Sequence, residues 1–196
     1  MPENVYISID LGQVNDYTAY TIIERKNKEY HLRHIERSEL GTPYPRIIER
    51  IKNITASAEL AEFRLKTIIL DITGVGRPVW DLVKQAKIKA NLKGITITGG
   101  NTVTRDGNIS SVPKRDLISA LQIVFQNKQL KIPPQLLEAE TFVNELINFR
   151  VKINVNGHDT YEPWREGTHD DIVLSAAMGV WTAMQSSFLE NYKNLI

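Results

Sequence analysis

Thr67-Ile68-Ile69-Leu70 is apolar or β-branched at every position and stops abruptly at Asp71. A strand with no wet face needs cover on both sides, which places it inside a sheet flanked by helices. The rest of the chain supplies the neighbours. Val5 to Asp10 alternates, with Val5, Ile7 and Ile9 on one face and Tyr6, Ser8 and Asp10 on the other. Tyr17 to Arg25 and Tyr30 to Arg37 read as two more strands, joined across the polar Lys26-Asn27-Lys28-Glu29. Pro43 and Pro45 open a helix running to about Phe63, with Ile47, Ile48, Ile51 and Ile54 as its apolar stripe. After the strand ending at Asp71, Gly74 and Gly76 give a turn, and Pro78 starts a helix to about Ala90. Gly94 to Thr98 is a further short strand. Three antiparallel strands followed by strands that alternate with helices make an α/β domain with a mixed sheet.

The second half is more helical. Asn101 to Ser111 is polar and reads as an exposed loop, followed by helices over Lys114 to Asn127 and Pro134 to Asn148. Phe149 to Tyr161 forms an additional β-hairpin around a turn at Asn156-Gly157, a candidate projection for touching DNA. A last helix begins near His169 and puts Val173, Ala176, Ala177, Val180, Trp181 and Met184 on one face. The chain has 196 residues, enough for one sizeable core and short for two, so it is read as a single domain over 1–196.

Composition narrows the chemistry. Hydrophobic residues at 42% and charged residues at 24% are ordinary globular usage, against disorder or a coiled coil. No run approaches a membrane span and Met1 to Asp10 lacks the pattern of a signal peptide, so the expected location is the cytoplasm. With no cysteine there is no disulfide, thiolate zinc site or cysteine nucleophile, so a bound metal needs oxygen or imidazole donors, the preference of hard cations. A net charge of +1 carries no global nucleic-acid signature. The basic stretches at Lys84, Lys87, Lys89 and Lys93, and at Arg105, Lys114, Arg115, Lys128 and Lys131, read as solvated faces.

Acidic residues fall at element ends: Asp10 closes the first strand, Asp71 the buried one, and Asp170-Asp171 opens the last helix. Ligands of open sheets collect at strand ends, and the first and fourth strands are expected side by side, bringing Asp10 and Asp71 together. Carboxylates at such range repel unless a cation lies between them, and Mg²⁺ takes oxygen ligands while keeping several waters. Two such ions roughly 4 Å apart activate a water and stabilise the leaving oxygen in phosphodiester hydrolysis. Each position also has a plainer reading. Asp10 suits a turn before Gly12, Asp71 a hydrogen-bonded turn, and Thr168-x-x-Asp171 a capping box in which both aspartates favour the helix N-terminus.

In chain order, Ile9-Asp10-Leu11-Gly12 with Asp16-Tyr17-Thr18-Ala19, Ile69-Leu70-Asp71 before a glycine turn, and Gly167-Thr168-His169-Asp170-Asp171-Ile172-Val173-Leu174-Ser175-Ala176 resemble the acidic motifs of phage large terminase nuclease domains. Val112-Pro113-Lys114 to Ile132-Pro133 is similar to the helical region before the last motif, so the resemblance covers nearly the whole chain. It implies a ribonuclease H-like sheet, two Mg²⁺ or Mn²⁺ ions, and endonucleolytic cutting of double-stranded DNA during genome packaging in the host cytoplasm. By position, Asp10, Asp71 and Asp171 are the implied catalytic ligands, with Asp170 as a further ligand and Asp16 and His169 as helpers. Lys114, Arg115, Arg150 and Lys152 are the implied DNA contacts. The implied partners are the terminase motor domain, the small terminase subunit and the portal.

One departure stands out: there is no Gly-Lys dipeptide, hence no Gly-x-x-x-x-Gly-Lys phosphate loop, and ATP-driven translocation is not expected of this chain. Two rivals share the fold: a RuvC-like junction resolvase, and a non-catalytic DNA-binding or docking domain whose aspartates merely cap and turn. Ile9-Asp10-Leu11-Gly12 also resembles the start of actin-like ATPases, but 196 residues leave no room for their second lobe.

Overall fold

The computed structural model describes residues 4–12, 16–63, 65–74, 76–153, 159–163 and 170–193. β1 (Asn4–Asp10) lies inside an eight-stranded sheet and determines how the rest is arranged. On one side it pairs antiparallel with β2 (Ala19–Lys26), which turns at Asn27-Lys28 into antiparallel β3 (Glu29–Arg37). Asn27 takes the left-handed φ of 57° that this short turn demands. On its other side β1 pairs in parallel with β4 (Leu65–Asp71), and β4 pairs in parallel with β5 (Asn91–Thr98). The expected neighbours are therefore present: the first and fourth strands lie side by side.

Helices cover both faces of the sheet, as the all-apolar β4 requires. α1 (Tyr44–Thr55) and α2 (Gly76–Gln85) form one layer. Ile47, Ile48, Ile51 and Ile54 of α1 and Val79, Trp80 and Val83 of α2 pack there against Val5, Ile7, Ile9, Ile68 and Leu70. α3 (Lys114–Gln126), α4 (Ala139–Asn148) and α5 (Asp171–Lys193) supply the other layer. Leu117, Leu121, Phe142, Ala176 and Val180 meet Tyr6, Ile23 and Ile69 in that second core. Each fully buried aliphatic side chain contributes about 1.5–3 kcal/mol, so both layers are strongly held to the sheet.

α5 comes closest to the strands at Gly179. A Cβ there would lie 2.7 Å from Ser8 Oγ and 3.1 Å from Ile23 Cγ1. One turn earlier, the Ser175 hydroxyl donates to the Ser8 carbonyl at 2.9 Å and lies 2.9 Å from Thr21 Oγ1, a buried polar link between helix and strands.

Several boundaries differ from the sequence reading. The Asn101 to Ser111 loop is instead a second hairpin: β6 (Thr104–Asp106) turns at Gly107-Asn108 into β7 (Ile109–Pro113), which extends the sheet in parallel beside β5. β8 (Leu130–Lys131), a two-residue strand parallel to β3, closes the opposite edge. The first helix ends at Thr55, with a separate 3₁₀ turn at Ala58–Leu60, rather than reaching Phe63. α2 stops at Gln85, and α4 starts at Ala139 instead of Pro134. The expected late hairpin is present as β9 (Phe149–Ile153) and β10 (Asp159–Pro163), while its Asn156-Gly157 turn lies outside the described residues. The last helix begins at Asp171, and His169 too lies outside the described residues. Among the described residues no helix is long and apolar enough to cross a membrane.

Candidate active site

Strand alternation decides where the acidic side chains point. On β1, Val5, Ile7 and Ile9 face the α1/α2 layer, so Tyr6, Ser8 and Asp10 face α5. On β4, Ile68 and Leu70 face α1/α2 while Ile69 belongs to the opposite core, which turns Asp71 to the α5 side as well. Ser8 is level with Ile69 and Ile9 with Leu70, so the next step of the register sets Asp10 beside Asp71. Both strands run the same way, and these aspartates sit at their carboxyl ends, where the backbone leaves the sheet. α5 delivers Asp171 at its first residue to the same end of that face.

The resulting cluster is acidic, with Asp10 and Asp171 buried and Asp71 and Asp170 half-buried. Asp10 is 8% exposed and Asp171 is 6% exposed. Burial pushes the Asp10 carboxyl well above the ordinary carboxylate range, and the nearby charges of Asp71, Asp171 and Asp170 push it further. Burial raises Asp71 too, against opposing hydrogen bonds from Thr73. Two adjacent carboxyls that resist ionisation are what a bound cation relieves, and the donor set is all oxygen, the type a hard divalent ion selects. Among the described residues no three acidic or histidine side chains close into a preformed metal cage. The four aspartates act on one another, but cations of the chain itself already engage two of them.

Lys114, at the start of α3, places Nζ 2.9 Å from Asp170 Oδ2 and 5.6 Å from the centroid of the Phe149 ring. Arg37, at the end of β3, hydrogen-bonds Glu145 of α4 and reaches to 3.9 Å from Asp171 Oδ2. The other Glu145 oxygen accepts the backbone N–H of Val173 at 3.2 Å, satisfying a donor in the first turn of α5 from outside the helix. Asp170 immediately precedes that helix, its carbonyl accepting the Leu174 N–H at 2.9 Å. Thr168, the other half of the expected capping box, lies outside the described residues.

Asp71 is held from behind. Its Oδ1 accepts the Thr73 amide at 2.8 Å and the Thr73 hydroxyl at 2.6 Å, while Thr73 Oγ1 accepts the Ile97 amide at 2.8 Å. The hydrogen-bonded turn foreseen as an alternative at Asp71 is thus present, and it coexists with the carboxylate's place beside Asp10. Of the remaining expected residues, Asp16 is exposed and lines a surface depression with Glu39 and Tyr44. Arg115 contacts Asp116 at 3.3 Å and the Asn101 carbonyl at 3.2 Å. The side chains of Arg150 and Lys152 lie outside the described residues. Thr73, Arg37 and Glu145 are what sequence reasoning missed. Asp71-Ile72-Thr73 is a spacing at which side chains bond their own turn, a signal that was available. Arg37 and Glu145 are 108 residues apart, and nothing local announces them.

A profile described as the terminase RNaseH-like domain matches residues 7–180, from within β1 into the first half of α5. The chain belongs to the terminase RNaseH-like domain family. The ribonuclease H-like architecture of this terminase domain is also that of solved structures. The large terminase nuclease of thermophilic phage G20c, crystallised with bound magnesium, aligns over 91% of this chain and 80% of its own, with a TM-score of 0.67 and 21% identity. The nuclease domain of the human cytomegalovirus terminase, soaked with manganese and bound to an inhibitor, aligns over 91% and 81% with a TM-score of 0.58 and 13% identity. A longer large terminase from another thermophilic bacteriophage aligns over 92% of this chain but 40% of its own, with a TM-score of 0.65 and 14% identity. A search of curated protein sequences finds no significant match.

Proposed function

We propose that this terminase-family domain is a Mg²⁺- or Mn²⁺-dependent endonuclease that cuts double-stranded DNA, with Asp10, Asp71 and Asp171 as principal ligands and Asp170 beside them. The observation that carries the reading is the pair of buried Asp10 and half-buried Asp71, side by side at the carboxyl ends of adjacent parallel strands with both carboxyls raised. Without an ion, such a pair is accommodated only if each carboxyl gains a cationic partner or the two share a proton. Lys114, which acts on Asp71, is itself paired with Asp170 at 2.9 Å. One relative of the same fold was crystallised with bound magnesium, and another was soaked with manganese.

When bound, two such ions supply a nucleophilic water and the charge to stabilise a leaving oxygen. The chain's own residues do the rest. Asp10 and Asp71, on rigid strand ends, fix the position at which a scissile phosphate is engaged. Thr73 holds the Asp71 carboxylate in one orientation, and α5 carries Asp170 and Asp171 in from the third side. Lys114, paired with Asp170 beside this mouth, is placed to meet a phosphate oxygen when Asp170 is otherwise engaged. Arg115, Arg150, Lys152, Asp16 and His169 are proposed at most as supporting contacts. The family and the longer large terminase relative support the further reading that this cutting serves genome packaging, with a terminase motor segment, a small subunit and a portal as proposed partners.

Incubating the purified domain with plasmid and Mn²⁺ tests this. Wild type should linearise and then degrade the plasmid, EDTA should stop it, and Asp71→Asn should reduce cutting by roughly 10²-fold or more while melting as a folded protein. Undiminished cutting by the Asp71→Asn variant would defeat the assignment. Activity confined to four-way junctions would replace it with a resolvase, and no activity on any DNA would leave a docking domain.

A further inference from the structure

Arg37 is an arginine held at the edge of an acidic site, and what holds it there is a carboxylate with no assigned part in the chemistry. Its side chain is 15% exposed, and that of Glu145 is 8% exposed. Glu145 is anchored at both ends: one oxygen takes Arg37 and the other the Val173 amide. Arg37 also lies over the Tyr17 ring, 5.2 Å from its centroid, which confines the guanidinium on a second side. Its Nη2 therefore stops 3.9 Å from Asp171 Oδ2, close enough for attraction and too far for a hydrogen bond.

A half-buried guanidinium that loses its carboxylate takes the nearest other one, because an uncompensated buried charge is far more costly than a rearranged pair. Without Glu145 the nearest one is Asp171. We propose that Glu145 is a positioning residue that draws Arg37 towards itself, holding the Arg37–Asp171 ion pair at 3.9 Å instead of a hydrogen-bonded contact and so weakening the chain's own competition with a divalent cation for Asp171. The proposal rests on the reading of Asp171 as a ligand. It gives Arg37 and Glu145 opposite effects: Glu145 protects cation binding, and Arg37 is the group it protects against.

That opposition makes a double-mutant experiment decisive. Mn²⁺ affinity is measured by titration calorimetry on the DNA-free domain, with circular dichroism to verify folding. Glu145→Gln, in which the amide still accepts the Val173 N–H but no longer neutralises Arg37, should weaken Mn²⁺ binding about tenfold or more, the scale expected of groups around a ligand. Adding Arg37→Met should restore affinity to within about threefold of wild type, and Arg37→Met alone should bind at least as tightly as wild type. A double variant as weak as Glu145→Gln overturns the proposal and points to Glu145 as a ligand in its own right. If Glu145→Gln does not fold, weaker binding by Arg37→Met alone overturns it equally. Asp171→Asn separates the layers: wild-type Mn²⁺ affinity in that variant removes the ligand reading itself, whereas lost affinity there with an unaltered Glu145→Gln removes only the role of Glu145.

Discussion

Asp10 ties the chemistry of the site to the stability of the domain. An acid whose carboxyl is raised on folding binds its proton more tightly in the folded chain than in the unfolded one. Asp10's contribution to the stability of the metal-free domain is therefore fully present below the ordinary carboxylate range and is lost as pH rises through the raised value. Asp71 shifts in the same direction and adds to the effect. In EDTA the melting temperature of wild type should fall relative to that of Asp10→Asn as pH climbs from that range towards neutrality, with Asp10→Asn melting higher at neutral pH. Calorimetric scans at a series of pH values check this, and a wild-type profile parallel to the variant's would remove the electrostatic account of Asp10. Thr73→Val is the matching test at Asp71. It deletes the donor to Oδ1 and the acceptor for the Ile97 amide at nearly constant volume, so Mn²⁺ affinity should drop about 10–100-fold while Thr73→Ser retains it. At this scale the sequence was informative wherever a residue's role followed from strand parity. The alternation of Val5 to Asp10 already put Asp10 on the face away from Val5, Ile7 and Ile9, where the structure has it. Arg37 and Glu145 were illegible because their meaning lies in a contact across 108 residues.

Elements were legible in proportion to their apolar periodicity. The α1 stripe of Ile47, Ile48, Ile51 and Ile54 is buried as its spacing required. β6 and β7 were hidden because Thr104, Arg105 and Asp106 form a wholly exposed edge strand with no apolar face to display. Their turn was nevertheless written into Asp106-Gly107-Asn108, where Gly107 adopts φ 55°. β8 has two residues and no pattern to read. α5 is the element on which site and core meet, since its first residue is Asp171 and its middle presses Gly179 against Ser8 and Ile23. Gly179→Val has no room there: the branched side chain must push α5 off β1 and β2. Overpacking of this kind costs about 1–3 kcal/mol, which the β-branched residue does not recover through helix propensity. Urea unfolding should show the lower stability, and Mn²⁺ binding by the still-folded protein should weaken as well, because the helix carrying Asp170 and Asp171 is displaced. A loss of stability with Mn²⁺ affinity intact would mean that the start of α5 is fixed independently of its middle, by the Glu145 contact to Val173.

For the whole molecule, the sheet order joins distant parts of the chain at one place. Chain order alone made β1 and β4 neighbours, because three antiparallel strands leave one flank of β1 open and a helical crossover then returns the chain parallel to it. What chain order did not carry was the third approach, where α5 arrives from the far end of the sequence onto the face that Asp10 and Asp71 share. A fold built this way keeps its acidic residues together only by setting like charges side by side, so the architecture stores a repulsion that a divalent cation removes. The ion should then stabilise the global fold and not merely the site. At free Mn²⁺ about a hundredfold above its dissociation constant, linkage contributes about 2.7 kcal/mol. For a domain of this size that corresponds to roughly 5–10 °C in melting temperature, from about 2–4 °C per kcal/mol. Ca²⁺, which also takes carboxylate oxygens, should raise the melting temperature without supporting cleavage. In Asp10→Asn and Asp71→Asn the Mn²⁺-dependent rise should shrink to a small fraction of the wild-type value. An equal rise in wild type and in both variants would place the ion elsewhere on the protein, and the convergence of β1, β4 and α5 would then be a packing arrangement without a cation to hold.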